Sequence, residues 1–254
     1  IITELLADPT PKLELPEVEY IELYNRMADT LDLKDFTLSD GSSTGNFPNF
    51  KLAPYHYVIV FHVAHLNLFS SYGPTIGLTT FPTLNNSGDC LTLRNQKGKL
   101  LHELLYSDTW YGDNDKKNGG WSLEIIDLTN PCVGQENWSA SISPIGGTPG
   151  SQNSIFNFNP DIQPPTLIEA YILNDTTVFL SVDENIDTSA LSLTQFKIEG
   201  FPTHKVIVNN SIIYITTKQT FEKGRKHILQ YFGIKDCNGN SSSTNHSIEL
   251  IMPD

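Results

Sequence analysis

The chain has 254 residues, 39% hydrophobic and 18% charged, with 17 Gly, 15 Pro and three Cys, a balance that excludes a disordered, collagenous or disulfide-dense chain. Its length accommodates two domains of ordinary size. Twenty-nine acidic against sixteen basic residues give a net charge of −13, which opposes the counterion-release binding that draws proteins to phosphate backbones, so nucleic acid is not an expected partner.

In chain order, the first half reads as short strands at residues 2–6, 20–25, 36–40, 55–61, 90–94, 100–106 and 121–126, each of β rather than helical length. In Tyr20-Ile21-Glu22-Leu23-Tyr24 the alternation places Tyr20, Glu22 and Tyr24 on one semi-polar face and Ile21 and Leu23 on a core face, the pattern of a half-buried strand. Asn95-Gln96-Lys97-Gly98-Lys99 lies between two apolar runs, with Gly98 free to take positive φ, and reads as a hairpin turn. The segment Ile145-Gly146-Gly147-Thr148-Pro149-Gly150-Ser151-Gln152-Asn153, followed by Asn159-Pro160-Asp161-Ile162-Gln163-Pro164-Pro165, concentrates residues that cannot continue a ladder and marks a boundary between domains 1–155 and 156–254. Strands then resume at 166–173, 177–182, 195–199, 205–208, 212–216, 227–234 and 247–251, the spacing of an immunoglobulin-like sandwich. Helical signals are confined to single turns near 63–69 or 189–193. The expected architecture is all-β: two tandem immunoglobulin-like β-sandwiches joined by a Pro-rich linker.

No apolar run approaches the roughly 20 residues of a bilayer-crossing helix. No secretory leader opens the chain, and because Ile1 already begins a strand pattern, it reads as a mature or trimmed polypeptide. Cys90, Cys132 and Cys237 form no CxxC pair; a Cys90–Cys132 bridge and three buried unpaired thiols are both compatible with the spacing.

Several segments resemble a known family. Ile2-Thr3-Glu4-Leu5-Leu6-Ala7-Asp8-Pro9, Glu19-Tyr20-Ile21-Glu22-Leu23-Tyr24-Asn25, Leu31-Asp32-Leu33 and Phe36-Thr37-Leu38-Ser39-Asp40-Gly41, then Asn86-Ser87-Gly88-Asp89, Gly119-Gly120-Trp121-Ser122-Leu123-Glu124, Asn137-Trp138 and Gly146-Gly147-Thr148-Pro149-Gly150 resemble, in that order, the bacterial lamin-tail domain, an immunoglobulin-like β-sandwich. The second half, with Pro164-Pro165, Val178-Phe179-Leu180-Ser181-Val182, Phe196-Lys197-Ile198 and Ile234-Lys235-Asp236-Cys237-Asn238-Gly239-Asn240, resembles a bacterial surface-layer-type Ig-like domain, departing from it at Asp183-Glu184. The resemblance implies parts of secreted or surface proteins of Bacteroidetes-type bacteria, with no common catalytic residues. The triplets Asp29-Thr30-Leu31 and Asp175-Thr176-Thr177 resemble the O-glycosylation acceptor motif of Bacteroides-type secreted proteins and weakly favour export.

The chemistry-bearing motifs carry little catalytic promise. Gly41-Ser42-Ser43-Thr44-Gly45 matches the nucleophile-elbow spacing, but no helix follows to complete an oxyanion hole, so it reads as a solvated turn. His62 and His65, with His56 upstream, lack a further zinc ligand, and residues three apart in a strand face opposite sides. Asp236-Cys237-Asn238-Gly239-Asn240 begins like an EF-hand loop but has Ser247 where the closing Glu belongs, and reads as a turn. Glu4, Glu19 and Glu22 offer carboxylates without a measurable separation. The best metal candidate is the loop Trp110–Gly120, where Asp113, Asn114 and Asp115 supply oxygens suited to calcium, partly neutralised by Lys116 and Lys117. In the same loop Trp110 and Tyr111 could present rings to a sugar or peptide, whereas Trp121 reads as a core anchor.

These features make the expected protein a non-enzymatic, exported or cell-surface adhesion, ligand-binding or spacer module, periplasmic, on the outer-membrane surface or extracellular. Its expected partner is a protein or carbohydrate, with no cofactor beyond calcium. The alternative is the accessory, non-catalytic region of a larger secreted hydrolase such as a nuclease or phosphatase.

Overall fold

A computed structural model describes residues 1–131, 133–187 and 191–252, and the chain forms two compact units, Ile1–Asn159 and Pro160–Asp254. The first unit ends a few residues beyond the breaker-rich segment because the Asn157 N–H still donates to the Ile126 carbonyl at 3.1 Å and the Asn159 N–H to Asp127 Oδ2 at 2.5 Å. Each unit is all-β; among the described residues helix is limited to short 3-10 turns, including Val63–His65 and Leu193–Gln195. Residues 188–190, which include the start of the second expected helical turn at 189–193, lie outside the described residues.

The first unit contains β1 (Ile2–Leu6), β2 (Tyr20–Tyr24), β3 (Leu31–Asp32), β4 (Thr37–Ser39), β5 (Thr44–Asn46), β6 (Lys51–Leu52), β7 (Tyr57–His62), β8 (Thr75–Leu78), β9 (Gly88–Arg94), β10 (Leu100–Ser107), β11 (Leu123–Ile125) and β12 (Trp138–Ala140). A six-stranded sheet runs β12-β11-β1-β2-β7-β8 and a four-stranded sheet β10-β9-β4-β5, with β3 and β6 paired beside them. Among the described residues only β7 and β8 run parallel. Ile2, Ile21, Leu23, Val58, Val60 and Leu123 from the larger sheet meet Leu38, Leu91, Leu93 and Leu104 from the smaller in one buried core. Each such side chain contributes about 1.5–3 kcal/mol by leaving water.

The larger sheet departs from the half-buried expectation. Tyr20 and Glu22 are as buried as Ile21 and Leu23, because the outer face is covered too: Leu6, Tyr20, Ile59 and Phe61 pack there against Leu15, Val18 and Phe69. Loops drawn over the second face thus convert a one-sided strand into a two-sided one, and period-two alternation alone cannot reveal that cover. The 95–99 turn forms as expected, with Asn95 Oδ1 accepting from the Lys97 and Lys99 amides at 2.9 and 3.0 Å. Of the Gly41–Gly45 pattern, Gly41–Ser43 form the turn between β4 and β5 while Thr44 and Gly45 already lie in β5, and Asp40 Oδ1 accepts from the Ser42 and Ser43 amides at 2.7 and 2.6 Å.

The second unit contains β13 (Leu167–Asn174), β14 (Thr177–Val182), β15 (Phe196–Ile198), β16 (Thr203–Asn209), β17 (Ile212–Thr217), β18 (Lys226–Tyr231) and β19 (His246–Ile251). They form a four-stranded sheet, β13-β14-β17-β16, and a three-stranded sheet, β15-β18-β19. Val178, Leu180, Ile213 and Ile215 of the first sheet face Phe196, Ile198, Leu229 and Leu250 of the second across the core. Here alternation is clean: β14 and β17 both bury every second residue.

Cys90 is a free, half-buried thiol, which corrects the Cys90–Cys132 bridge; its side chain lies on β9 against β10, with Leu105 as its cross-strand partner. Cys237 is disulfide-bonded, so the reading of three unpaired thiols is also overturned, and Cys132 itself lies outside the described residues.

Candidate functional site

Two carboxylate groups stand out, one in each unit. In the first unit, β1 lies between β2 and β11, and the register sets Glu4 across from Glu22 on one side and from Glu124 on the other. The three strands therefore carry a row of glutamates, all fully buried. Segment 147–155 closes over the row and supplies its hydrogen bonds. The Thr148 N–H donates to Glu4 Oε1 at 2.8 Å and its hydroxyl to Glu124 Oε1 at 2.9 Å. The Gly150 N–H donates to Glu22 Oε2 at 2.6 Å, and the Ser154 hydroxyl and Ile155 N–H reach Glu124 Oε2 at 2.8 and 3.2 Å. Tyr20 Oη donates to Glu4 Oε1 and Thr3 Oγ1 to Glu22 Oε1, both at 2.7 Å.

Among the described residues no salt bridge reaches any of the three. Burial pushes Glu4 up to about 7, with the neighbouring Glu124 adding to the shift, and pushes Glu22 well above the usual carboxylate range, with Glu4 adding. Carboxyls that accept several backbone amides and are sealed from water act as anchors for a covering segment. Gly147 is required for that close approach: a Cβ there would stand 2.5 Å from Glu4 Oε1 and 2.8 Å from Tyr20 Oη. Glu19, the third carboxylate offered by the sequence, lies apart and accepts the Leu84 N–H at 3.0 Å.

In the second unit, ligand oxygens of Asp161, Glu184 and Asp236 converge within 4.8 Å. The turn after Ile234 builds this group: Asp236 Oδ1 accepts from the Gly239 and Asn240 amides at 2.6 and 2.8 Å. Asn240 Nδ2 bridges Asp236 Oδ2 at 2.8 Å and the Asp161 carbonyl at 3.1 Å, and Asn238 Nδ2 donates to Asp161 Oδ2 at 3.2 Å. Burial pushes Glu184 up to about 8, followed by the charges of Asp161 and Asp236. Three convergent carboxyl oxygens could hold a hard cation such as calcium; without one, a proton on Glu184 relieves the repulsion. Sequence reasoning took Asp236–Asn240 for a turn, which it is, and missed that the turn aims Asp236 at Asp161 and Glu184. Only the Asp-x-Asn-Gly-Asn spelling hinted at it.

The loop singled out by the sequence is differently employed. Asp113 Oδ1 accepts the Asp115 and Lys116 amides at 2.8 and 3.2 Å, and those bonds hold its carboxyl below the usual range. It thus fixes the approach to the 3-10 turn Lys116–Asn118, whose N-cap residue is Asp115. Lys116 Nζ turns inward to the Ser141 carbonyl at 2.6 Å and lies over the Trp121 ring, 4.3 Å from its centroid. Tyr111 is a core residue whose hydroxyl donates to the Trp121 carbonyl at 3.2 Å, and Trp110 is partly buried against that core with its ring 6.3 Å from Trp138. The expected pair of presented rings is thus corrected: packing against the core takes up Tyr111 and much of Trp110, and Trp121, expected as a core anchor, is partly buried there. His56 Nδ1 lies 2.7 Å from the Pro54 carbonyl and His62 Nδ1 accepts the Ala64 N–H, so both rings serve their own turns.

No curated protein matches the sequence. The chain is similar to the crystal structure of the N-terminal part of the bacterial S-layer protein SbsC, with a TM-score of 0.33 and 17% identity over 36% of this chain. The match spans about a quarter of that structure's length, 24%. No helix among the described residues is long and apolar enough to cross a membrane. Residues 1–108, within the first unit, match the family model of the Lamin Tail Domain, the immunoglobulin-like family that the motifs of this half resemble.

Proposed function

We propose that this chain is a non-enzymatic module of an exported or cell-surface protein, serving to space or to bind rather than to transform a substrate. One observation carries the reading: two buried carboxyls of the first unit that burial raises, Glu4 and Glu22, are spent on anchoring segment 147–155. Active sites keep such groups in a cleft where substrate can reach them; here the covering segment occupies the place a substrate would need. The lamin-tail match over residues 1–108 supports the same reading, because the fold is a rigid frame whose function lies in its surfaces and loops.

The test is an assay of the whole purified chain against phosphomonoester, phosphodiester and glycoside substrates, with and without calcium. Rates indistinguishable from buffer are expected. Turnover by the wild-type chain that disappears in Glu4→Gln or Asp236→Asn would overturn the reading.

A further inference from the structure

The outward face of the second unit's four-stranded sheet carries an unbroken row of large side chains, one from each strand. Tyr171 on β13 pairs with Phe179 on β14, Phe179 with Tyr214 on β17, and Tyr214 with Ile207 on β16. The rings touch: Tyr171 and Phe179 stack with centroids 4.7 Å apart, and Phe179 meets Tyr214 edge-on at 5.7 Å. Tyr171 and Ile207, at the two ends, are 38% and 43% exposed, while the opposite faces of these strands already fill the core with Ile172, Val178, Leu180, Ile213 and Ile215. Cross-strand pairing alone stabilises a sheet by fractions of a kcal/mol per pair, yet it does not call for a solvent-facing row across all four strands.

The rows on either side are mostly polar and neutral. Glu169, Ser181, Ile212 and Asn209 are cross-strand partners above the band, and Asn174, Thr177, Thr216 and Lys205 below it. One acid and one base cancel, so this face is neutral on a chain of net charge −13. Its size is small for a folded partner, although Ile168 and Leu173 on β13 are exposed as well. Four strands about 4.8 Å apart and three rows about 7 Å apart cover roughly 400 Å², half of the roughly 800 Å² per partner that a stable protein interface needs. A narrow apolar band with hydroxyl and amide groups along both margins suits a slender ligand that has apolar C–H faces and uncharged hydroxyl edges: the C–H faces lie on the rings, and the hydroxyls meet Ser181, Thr177, Thr216 and the asparagines.

We propose that the band Tyr171–Phe179–Tyr214–Ile207 is a binding platform for a neutral polysaccharide chain. The proposal rests on the reading of the chain as a non-enzymatic module and selects binding over spacing. The experiment is native affinity electrophoresis of the whole chain through gels containing xylan, hydroxyethyl cellulose, mannan or dextran, with alginate as an anionic control. Retardation by at least one neutral polysaccharide is expected. It should weaken tenfold or more in Tyr171→Ala, whose edge position spares the core, and vanish in Tyr171→Ala with Tyr214→Ala, while Trp110→Ala leaves it intact. Circular dichroism melts of each variant show that the fold persists. The proposal is overturned if no neutral polysaccharide retards the wild-type chain, if retardation survives the double variant, if alginate alone retards, or if the wild-type chain self-associates and the double variant does not. None of these outcomes bears on the hydrolase assays that test the module reading, so the two fail separately.

Discussion

Glu4 and Glu22 stand directly across from each other in the β1–β2 ladder, both closed to solvent and both tied by backbone amides of one covering segment. Each carboxyl is raised by burial, Glu4 to about 7 from its ordinary 4.5. In that window the folded chain holds protons the unfolded chain has released. The stability these groups contribute is therefore fully present below about pH 4.5 and lost as pH rises through their folded values. Urea unfolding across pH 4–8 should show stability falling by about 1.4 kcal/mol per pH unit for each proton retained, and the slope should shrink in Glu4→Gln and again with Glu22→Gln. An unchanged slope in the double variant would show that the protons sit elsewhere.

The fit of segment 147–155 can be probed at its tightest point. Gly147→Ala places a methyl 2.5 Å from Glu4 Oε1 and should cost about 1–3 kcal/mol through overpacking. Gly98→Ala is the control: its φ of +74° with nothing within 4 Å leaves only backbone strain, about 1 kcal/mol. Hydrogen exchange should report faster opening of residues 148–155 in the first variant and not in the second.

His102 pulls the other way. Its Nδ1 accepts the Ile2 N–H at 3.1 Å, and burial lowers its pKa to about 3 from 6.5. A base held neutral in the fold contributes stability that is present above about pH 6.5 and lost as pH falls toward 3, so it opposes Glu4 where the two windows overlap, between about pH 4.5 and 6.5. Nuclear magnetic resonance of the His102 ring should show no titration down to pH 4. In His102→Phe the acid-side loss should lessen, while an orphaned Ile2 amide lowers stability at neutral pH by about 1–3 kcal/mol.

Calcium separates the two acidic sites. The convergence of Asp161, Glu184 and Asp236 within 4.8 Å predicts that a calcium-induced rise in melting midpoint survives Asp113→Ala with Asp115→Ala and is abolished by Asp236→Asn. In chelator, Glu184→Gln should melt higher than wild type at pH 9, since it removes one of three mutually repelling carboxylates. Loss of the calcium response in the Asp113 and Asp115 variant would return the ion to that loop.

Strand positions were legible because alternation and turn chemistry are local: β1 and β14 occupy the predicted residues, and Gly98 and Asn95 close their hairpin as read. The short strands β3, β5, β6, β8 and β12 were not, because two to four residues carry no period and are fixed by the neighbours they pair with. The glutamate row was invisible for a related reason. Glu22 reads as a strand residue on a semi-polar face and Glu4 only as one of three carboxylates of unknown separation, and only a segment more than a hundred residues later turns that face into an interior. Tyr111 is buried rather than presented, and Trp110 is partly buried; aromatic residues beside Gly-rich loops are as useful for packing as for display, and no local signal distinguishes the two.

The anchoring of segment 147–155 also orders events in time. Its bonds to Glu4 and Glu22 span 144 and 128 residues of chain, and such long-range closures are slow because the intervening loop must be gathered first. A nascent chain carries β1 and β2 with hydrated, ionised glutamates until residues 147–155 emerge. Premature collapse of the sheet would desolvate those carboxylates without the amides that solvate them in the fold, so closure of the first unit waits on residues 147–155.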